Sequence, residues 1–302
     1  MKNAITNYEN TFFLNQTALS GVISVDGSYN LSMEPINVIG KGFLKQVIAE
    51  VPKAQLTVDR YLVNQDPVLS LTGNGYDYIA DAVSAGLKYN NKSFAFGTGY
   101  LSSYSINCSV GDVPKIQSTF DVYGGDIGGY LDPSGAFKDG AVFVPQVKNI
   151  IISCNQSSTN RVKDFTLNVD CPNRPIYGLN QSLSEIPVEV HNIYPIVVDG
   201  SFTLEVDDYE SQRAYSIFSS TNLTNFSVKI SGSVLVDQPL TTAGGINLTT
   251  NSSVPLLAYL KNESNVPIFN FSAANAIILS EQMTSSADDV LSVKISYKTY
   301  LN

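Results

Sequence analysis

One histidine, three cysteines and a few acidic clusters are all that this sequence offers to a reaction. A nucleophile needs a base beside it, and the obvious base is His191 in HNIYP, which stands next to a proline turn and belongs to no nucleophile pattern. Cys108, Cys154 and Cys171 are odd in number and fit no zinc spacing, and one histidine cannot complete an ordinary tetrahedral set with them. They read as buried free thiols. The glycines of GKG (40–42) and GNG (73–75) lack the strand, helix and lysine of a phosphate cradle and read as turn residues. The acidic run DDYE (207–210) lacks the spaced oxygen ligands of a calcium loop and reads as a solvated hairpin end. The absence of tryptophan removes a common sugar-stacking platform. The chain is therefore expected not to be an enzyme, with no catalytic residue, no metal ligand and no cofactor.

If no residue does chemistry, the elements themselves become the question. The 302 residues suit two cores better than one. Apolar residues make up 43%, enough to fill them, while charged residues make up only 15%, against the roughly 25% usual for soluble domains. A surface built from Ser, Thr, Asn and Gln suits a subunit that covers itself with copies of itself. The net charge of -9 and the lack of any Lys or Arg run argue against a protein that grips nucleic acid by its phosphates. No segment approaches the roughly 20 apolar residues of a membrane span, and MKNAITNYENTFFLNQ holds no apolar run of leader length. A soluble product made in the cytoplasm, without a membrane partner, is expected. Glycosylation triplets recur from Asn15 to Asn270, but without a leader or paired cysteines they read as by-products of an Asn/Ser/Thr-rich β surface.

Period-two alternation dominates the chain. In AQLTVDRYL, Ala54, Leu56 and Val58 share one face and Gln55, Thr57 and Asp59 the other; in GSFTLEVDDY, Phe202, Leu204 and Val206 oppose Thr203, Glu205 and Asp207. These are the marks of half-buried antiparallel strands. Helical spacing occurs in YDYIADAVSAGLKY, through Ile79, Ala82, Val83 and Leu87, and in VPLLAYLKN (254–262), so one short helix is expected ahead of each aromatic strand, FAF (94–96) and FNF (269–271).

SVGDVPKIQSTFDVY (109–123) and SADDVLSVKISYKTY (286–300) align without a gap. They share Ser109 with Ser286, Asp112 with Asp289, Val113 with Val290 and Tyr123 with Tyr300, and keep Phe120 opposite Tyr297. Upstream the echoes continue in order: Val58-Asp59 with Val206-Asp207, Pro52 with Pro195, Pro35-Ile36 with Pro175-Ile176, Val25-Asp26 with Val169-Asp170. Preserved order points to an internal duplication with loop insertions. The division expected is a first domain over 1–125, a Gly-rich linker or arm over 126–147 and a second domain over 148–302.

A duplicated, strand-rich, acidic unit with these closing strands, LSSYSINCSVGDVPKIQSTFDVYG and LSEQMTSSADDVLSVKISYKTY, resembles the tail tube proteins of long-tailed bacteriophages, most nearly those with two tube domains in tandem. The resemblance implies a mainly β fold of two antiparallel barrel or sandwich domains, and stacked rings in which three two-domain subunits close a pseudo-hexameric barrel around a channel. It implies a virion location in the tail after assembly in the host cytoplasm, tape measure and tail terminator or baseplate proteins as partners, and DNA that passes during ejection without being bound. The polar strand faces would then line the bore: Thr57, Asp59, Thr203, Glu205 and Asp207 on one strand pair, and Gln117, Thr119, Asp121, Lys294, Ser296 and Lys298 on the other. The lysines run against a purely negative lining: either they pair with acidic neighbours or the assigned face is wrong, and the same residues read equally well as the wet face of an antiparallel sheet. Leu56, Val58, Leu204, Val206, Phe120 and Tyr297 are expected in the two cores. Rival readings are a neck, distal-tail or baseplate ring, a secreted β-sandwich adhesion module and, third, an enzyme.

Overall fold

A computed structural model describes residues 10–15, 17–30, 33–36, 46–49, 51–63, 66–72, 79–89, 92–123, 149–154, 157–178, 187–205, 222–233, 265–285 and 291–301. The alternation read from the sequence becomes strand almost throughout. The first half of the chain forms β1 (Asn10–Leu14), β2 (Thr17–Ala18), β3 (Val22–Asn30), β4 (Met33–Ile36), β5 (Gln46–Ala49), β6 (Lys53–Tyr61), β7 (Ala82–Tyr89), β8 (Lys92–Ser109) and β9 (Lys115–Tyr123). The second half forms β10 (Ile150–Cys154), β11 (Ser157–Thr159), β12 (Val162–Asp170), β13 (Asn173–Ile176), β14 (Glu189–Asn192), β15 (Ile196–Glu205), β16 (Asn222–Ser233), β17 (Asn265–Thr284) and β18 (Ser292–Leu301). Every pairing among the described residues is antiparallel, so the protein is mainly β with one large antiparallel sheet. Among the described residues helix is confined to 3-10 turns, Leu69–Thr72 being the longest.

The two halves are wired alike. In the first, the hydrogen-bonded order is β2-β1-β7-β8-β9-β6-β3; in the second it is β11-β10-β16-β17-β18-β15-β12. Each half also carries a separate two-stranded hairpin, β4 with β5 and β13 with β14, inserted at the same point of the order. The irregularities correspond too. β3 breaks register between Val22 and Ser24 and β12 between Val162 and Asp164; β8 breaks between Leu101 and Ser103 and β17 between Ile278 and Ser280. A bulge re-aims a strand at one residue, so two bulges at matching places place the same bends in both halves.

These registers correct the sequence alignment in part. The closing strands align as expected, Phe120 with Tyr297, and Pro35-Ile36 with Pro175-Ile176 stand at matching places in β4 and β13. Val25, however, corresponds to Phe165 rather than Val169, because Val25 lies opposite Val58 as Phe165 lies opposite Phe202. Val58 therefore matches Phe202, not Val206. Both slips are of four residues, which preserves the face and so leaves the hydrophobic pattern blind to them.

The helix expected over YDYIADAVSAGLKY is replaced by β7. Val83 and Ala85 are buried, and the strand is held on one side by β1 and on the other by β8. A Cβ at Gly86 would come within 2.5 Å of the Ala95 Cβ, so β7 and β8 touch where only glycine fits. Glycine weakens a helix, and two flanking strands supply ladder bonds that local propensity cannot match. The second expected helix, VPLLAYLKN, and the linker 126–147 lie outside the described residues.

Leu56, Val58, Phe120, Leu204 and Tyr297 are buried as expected, while Val206 lies outside the described residues. Instead of one core per half, most of the buried apolar side chains make one cluster that runs through both halves, beside a small second one of Ala80, Tyr123 and Val190. The reason is the sheet: β8 pairs directly with β12, which sets Tyr104 and Ile106 beside Val169 and Leu167. In the second half the Tyr297 ring lies 4.6 Å from that of Phe226 and 5.9 Å from that of Phe202. In the first half Arg60, where the second half has Leu204, pairs with buried Asp66, and Tyr104 donates to the same carboxyl group at 2.5 Å.

Candidate functional site: a polar sheet face and two open edges

Eight strands of the large sheet run side by side as β3-β6-β9-β8-β12-β15-β18-β17, four from each half. Alternation gives this row one apolar face, turned to the core, and one polar face. On the polar face, cross-strand partners bond to each other. Asp59 accepts from Ser24 Oγ at 3.0 Å and from Gln117 Nε2 at 2.8 Å. Asp121 accepts from Gln55 Nε2 at 3.2 Å, and Thr57 and Thr119 hydroxyls lie 3.3 Å apart. In the second half Thr203 Oγ1 donates to Asp164 at 2.9 Å and Asn168 Nδ2 to Asp199 at 3.1 Å. The row is therefore a built polar surface, with its register fixed from strand to strand.

All the bore residues expected from the sequence and described by the structure fall on this one face. Thr57, Asp59, Gln117, Thr119 and Asp121 sit on β6 and β9, Thr203 and Glu205 on β15, and Lys294, Ser296 and Lys298 on β18. Asp207 lies outside the described residues. Lys298 lies opposite Asp199 in the ladder, and its Nζ is 5.5 Å from the Tyr300 ring centroid; Lys294 lies between Thr203 and Gln282. The expected match of Thr57 and Asp59 with Glu205 and Asp207 shifts by the same four residues: they correspond to Ser201 and Thr203.

The sequence reading missed half of the face. Asp26 on β3, Asp164, Asn168 and Asp170 on β12, Ser103, Ser105 and Asn107 on β8, and Asp199 on β15 belong to it. The alternation of VKDFTLNVD carried the signal. Across the row, the carboxylates of Asp26, Asp59, Asp121, Asp164, Asp170, Asp199 and Glu205 outnumber the ammonium groups of Lys53, Lys115, Lys294 and Lys298. The face is net negative.

Where the halves meet, β8 and β12 pair continuously from Asp164 opposite Ser109 to Asp170 opposite Ser103. Beneath this seam Tyr104, Ile106, Cys108, Phe165, Leu167 and Val169 are all buried. Burial, and next the Asp66 carboxylate, hold the Tyr104 phenol well above its ordinary value, and burial pushes the Cys108 thiol up to about 12. Cys171, at the end of the seam, is likewise buried, free and pushed up to about 12.

The matching positions at the two ends of the row have no outer partner among the described residues. On β17, residues 279–284 bond only to β18 among the described residues, and Leu279 and Met283 are 61% and 54% exposed. On β3, the edge away from β6 has no described partner, and Ile23 and Tyr29 are 48% and 55% exposed. Unpaired N–H and C=O rows flanked by exposed apolar side chains are templates for another strand.

His191 stands apart from this surface. It lies in β14 with Nε2 2.8 Å from Glu189, and bridges to Ile79 of the first half. Among the described residues, no three His, Cys, Asp or Glu side chains are grouped to hold a metal ion, and no helix is long and apolar enough to cross a membrane. No protein-family model matches the chain, and no curated protein matches it.

Proposed function

We propose that this chain is a structural ring subunit of a virion, the tail tube protein of a long-tailed bacteriophage, and that it is not an enzyme. The observation that carries the reading is the seam between β8 and β12: one half of the chain already joins the other edge to edge, and within the eight-strand row the edges without a partner among the described residues are the same two edges. If β3 of one copy meets β17 of the next as β12 meets β8, the register follows. Asp26 then lies opposite Thr284, Ser28 opposite Gln282 and Asn30 opposite Ser280.

The halves would form two barrel-like tube domains, each contributing four strands to the row. Three copies would close about 24 strands into one barrel, wider than the 16–18 strands that already leave a porin an aqueous channel. Closure removes the exposed edges, and a heterologous contact that closes gives a ring instead of an open fibre. The polar face would turn to the bore. A net negative lining repels phosphates, so DNA would slide through without sticking. Rings would stack between tape measure and terminator or baseplate proteins, in the virion tail.

Negative-stain microscopy of the purified protein tests this. Rings with threefold repeat that stack into hollow filaments are expected; one or two rings per particle would move the assignment to a neck, distal-tail or baseplate adaptor. A monodisperse monomer at high concentration overturns the reading.

A further inference from the structure

The hairpins add a second contact. Within one chain, the β13–β14 hairpin reaches back over the first half: Val190 C=O accepts from Ala80 N–H at 2.9 Å, and Asn173 Nδ2 donates to Leu101 C=O at 2.9 Å. Val190 is 1% exposed, clustered with Ala80 and Tyr123 against Tyr100. The hairpin thus covers two tyrosines at the end of the polar face, leaving Tyr123 7% exposed.

The second half carries the same seat without an occupant among the described residues. Ile277 takes the place of Tyr100, since it lies opposite Lys298 as Tyr100 lies opposite Asp121. Tyr300 takes the place of Tyr123. They are 45% and 46% exposed. The hairpin that corresponds to β13–β14 is β4–β5, where the pair Pro35 and Val47 matches Pro175 and Val190.

We infer that the Ile277–Tyr300 patch is the seat for the β4–β5 hairpin of a second copy of this chain, latched over the joint between neighbours. The inference rests on the ring reading. β4–β5 is the connection between β3 and β6, as β13–β14 is the connection between β12 and β15. A chain that lays β3 on the β17 edge therefore carries its hairpin to this patch. An apolar seat of two large side chains, matched by an occupied copy in the same molecule, specifies that partner over an unrelated one.

Two cysteine pairs in the full-length protein separate the latch from the ring. Ser28→Cys with Gln282→Cys reads the strand joint; Val47→Cys with Tyr300→Cys reads the latch. Val47→Cys with Tyr123→Cys is the control, since Val190 already fills that seat. After mild oxidation, non-reducing gels are expected to show species of two and three chains for both test pairs, well above the control. A strand pair that links while the latch pair stays at control level, or links only within one chain, overturns the latch and leaves the ring. If neither pair links and the protein sediments as a monomer, both fall.

Discussion

Residues 103–107 of β8 and 280–284 of β17 hold the same place in the two identically ordered halves of the sheet, yet they live in opposite surroundings. Tyr104 and Ile106 are each 1% exposed, whereas Glu281 and Met283, at the matching positions, are exposed. The partner strands differ likewise: Phe165, Leu167 and Val169 are buried where Val25, Gly27 and Tyr29 are partly or fully exposed. The difference is not in strand geometry, since pairing and bulges agree. It lies in what covers the edge. One copy of the joint is made within the chain, and the other has no partner strand among the described residues; on the proposed reading a neighbouring copy supplies it.

That comparison breaks most sharply at the open edge. In β12 the odd-numbered residues turn their backbone groups to β8, as Cys171 N–H donating to Ser102 C=O and Lys163 C=O accepting from Val110 N–H indicate. Tyr29 corresponds to Val169, so Tyr29→Pro removes an N–H that faces the open edge while sparing the β6 ladder. Rings and filaments should vanish in the microscope while circular dichroism of the monomer stays unchanged.

Within the monomer, matched substitutions should differ in cost. Phe165→Ala empties a filled site and should cost about 3–5 kcal/mol in denaturant unfolding, against about 1 kcal/mol or less for Val25→Ala. Ile106→Ala should cost about 2–5 kcal/mol and Met283→Ala under about 0.5 kcal/mol, measured below the assembly concentration. Equal costs in either pair would mean that the two joints are not the same structure in two states.

Alkali should act on the covered side. Burial holds the Tyr297 phenol well above its ordinary value, as it does for Tyr104. A phenol that ionises near pH 10 in the unfolded chain but later in the folded one stabilises the fold fully below about pH 10 and loses that contribution as pH rises further. The melting temperature should fall steeply above that pH, and less steeply in Tyr297→Phe. The smallest effect is expected on the polar face, where Lys298→Ala should cost no more than about 0.5 kcal/mol.

Much of the fold was legible because a strand writes its burial into every second residue. IQSTFDV and VKISYKT announce their faces, and their kinship, without any structure. The polar face was legible to the same extent: Asp59, Thr119 and Thr203 follow from alternation alone. The β7 strand was not, because the spacing of Ile79, Ala82, Val83 and Leu87 suits a helix, and only the presence of β1 and β8 on both flanks decides otherwise. The four-residue slips at Val25 and Val58 escaped for a related reason, since an even shift leaves the face unchanged and only hydrogen-bond partners can detect it.

The sequence by itself determined that the chain is β, that its surface is weakly charged and acidic, and that its closing strands occur twice. These are local properties, carried by side-chain type and period. The tertiary structure alone decided that β8 takes β12 as a neighbour, that eight strands share one polar face, and that β3 and the end of β17 have no further partner among the described residues. Strand partnership is a contact between residues far apart in the chain, made by backbone groups that every residue carries, and so no residue type can announce it.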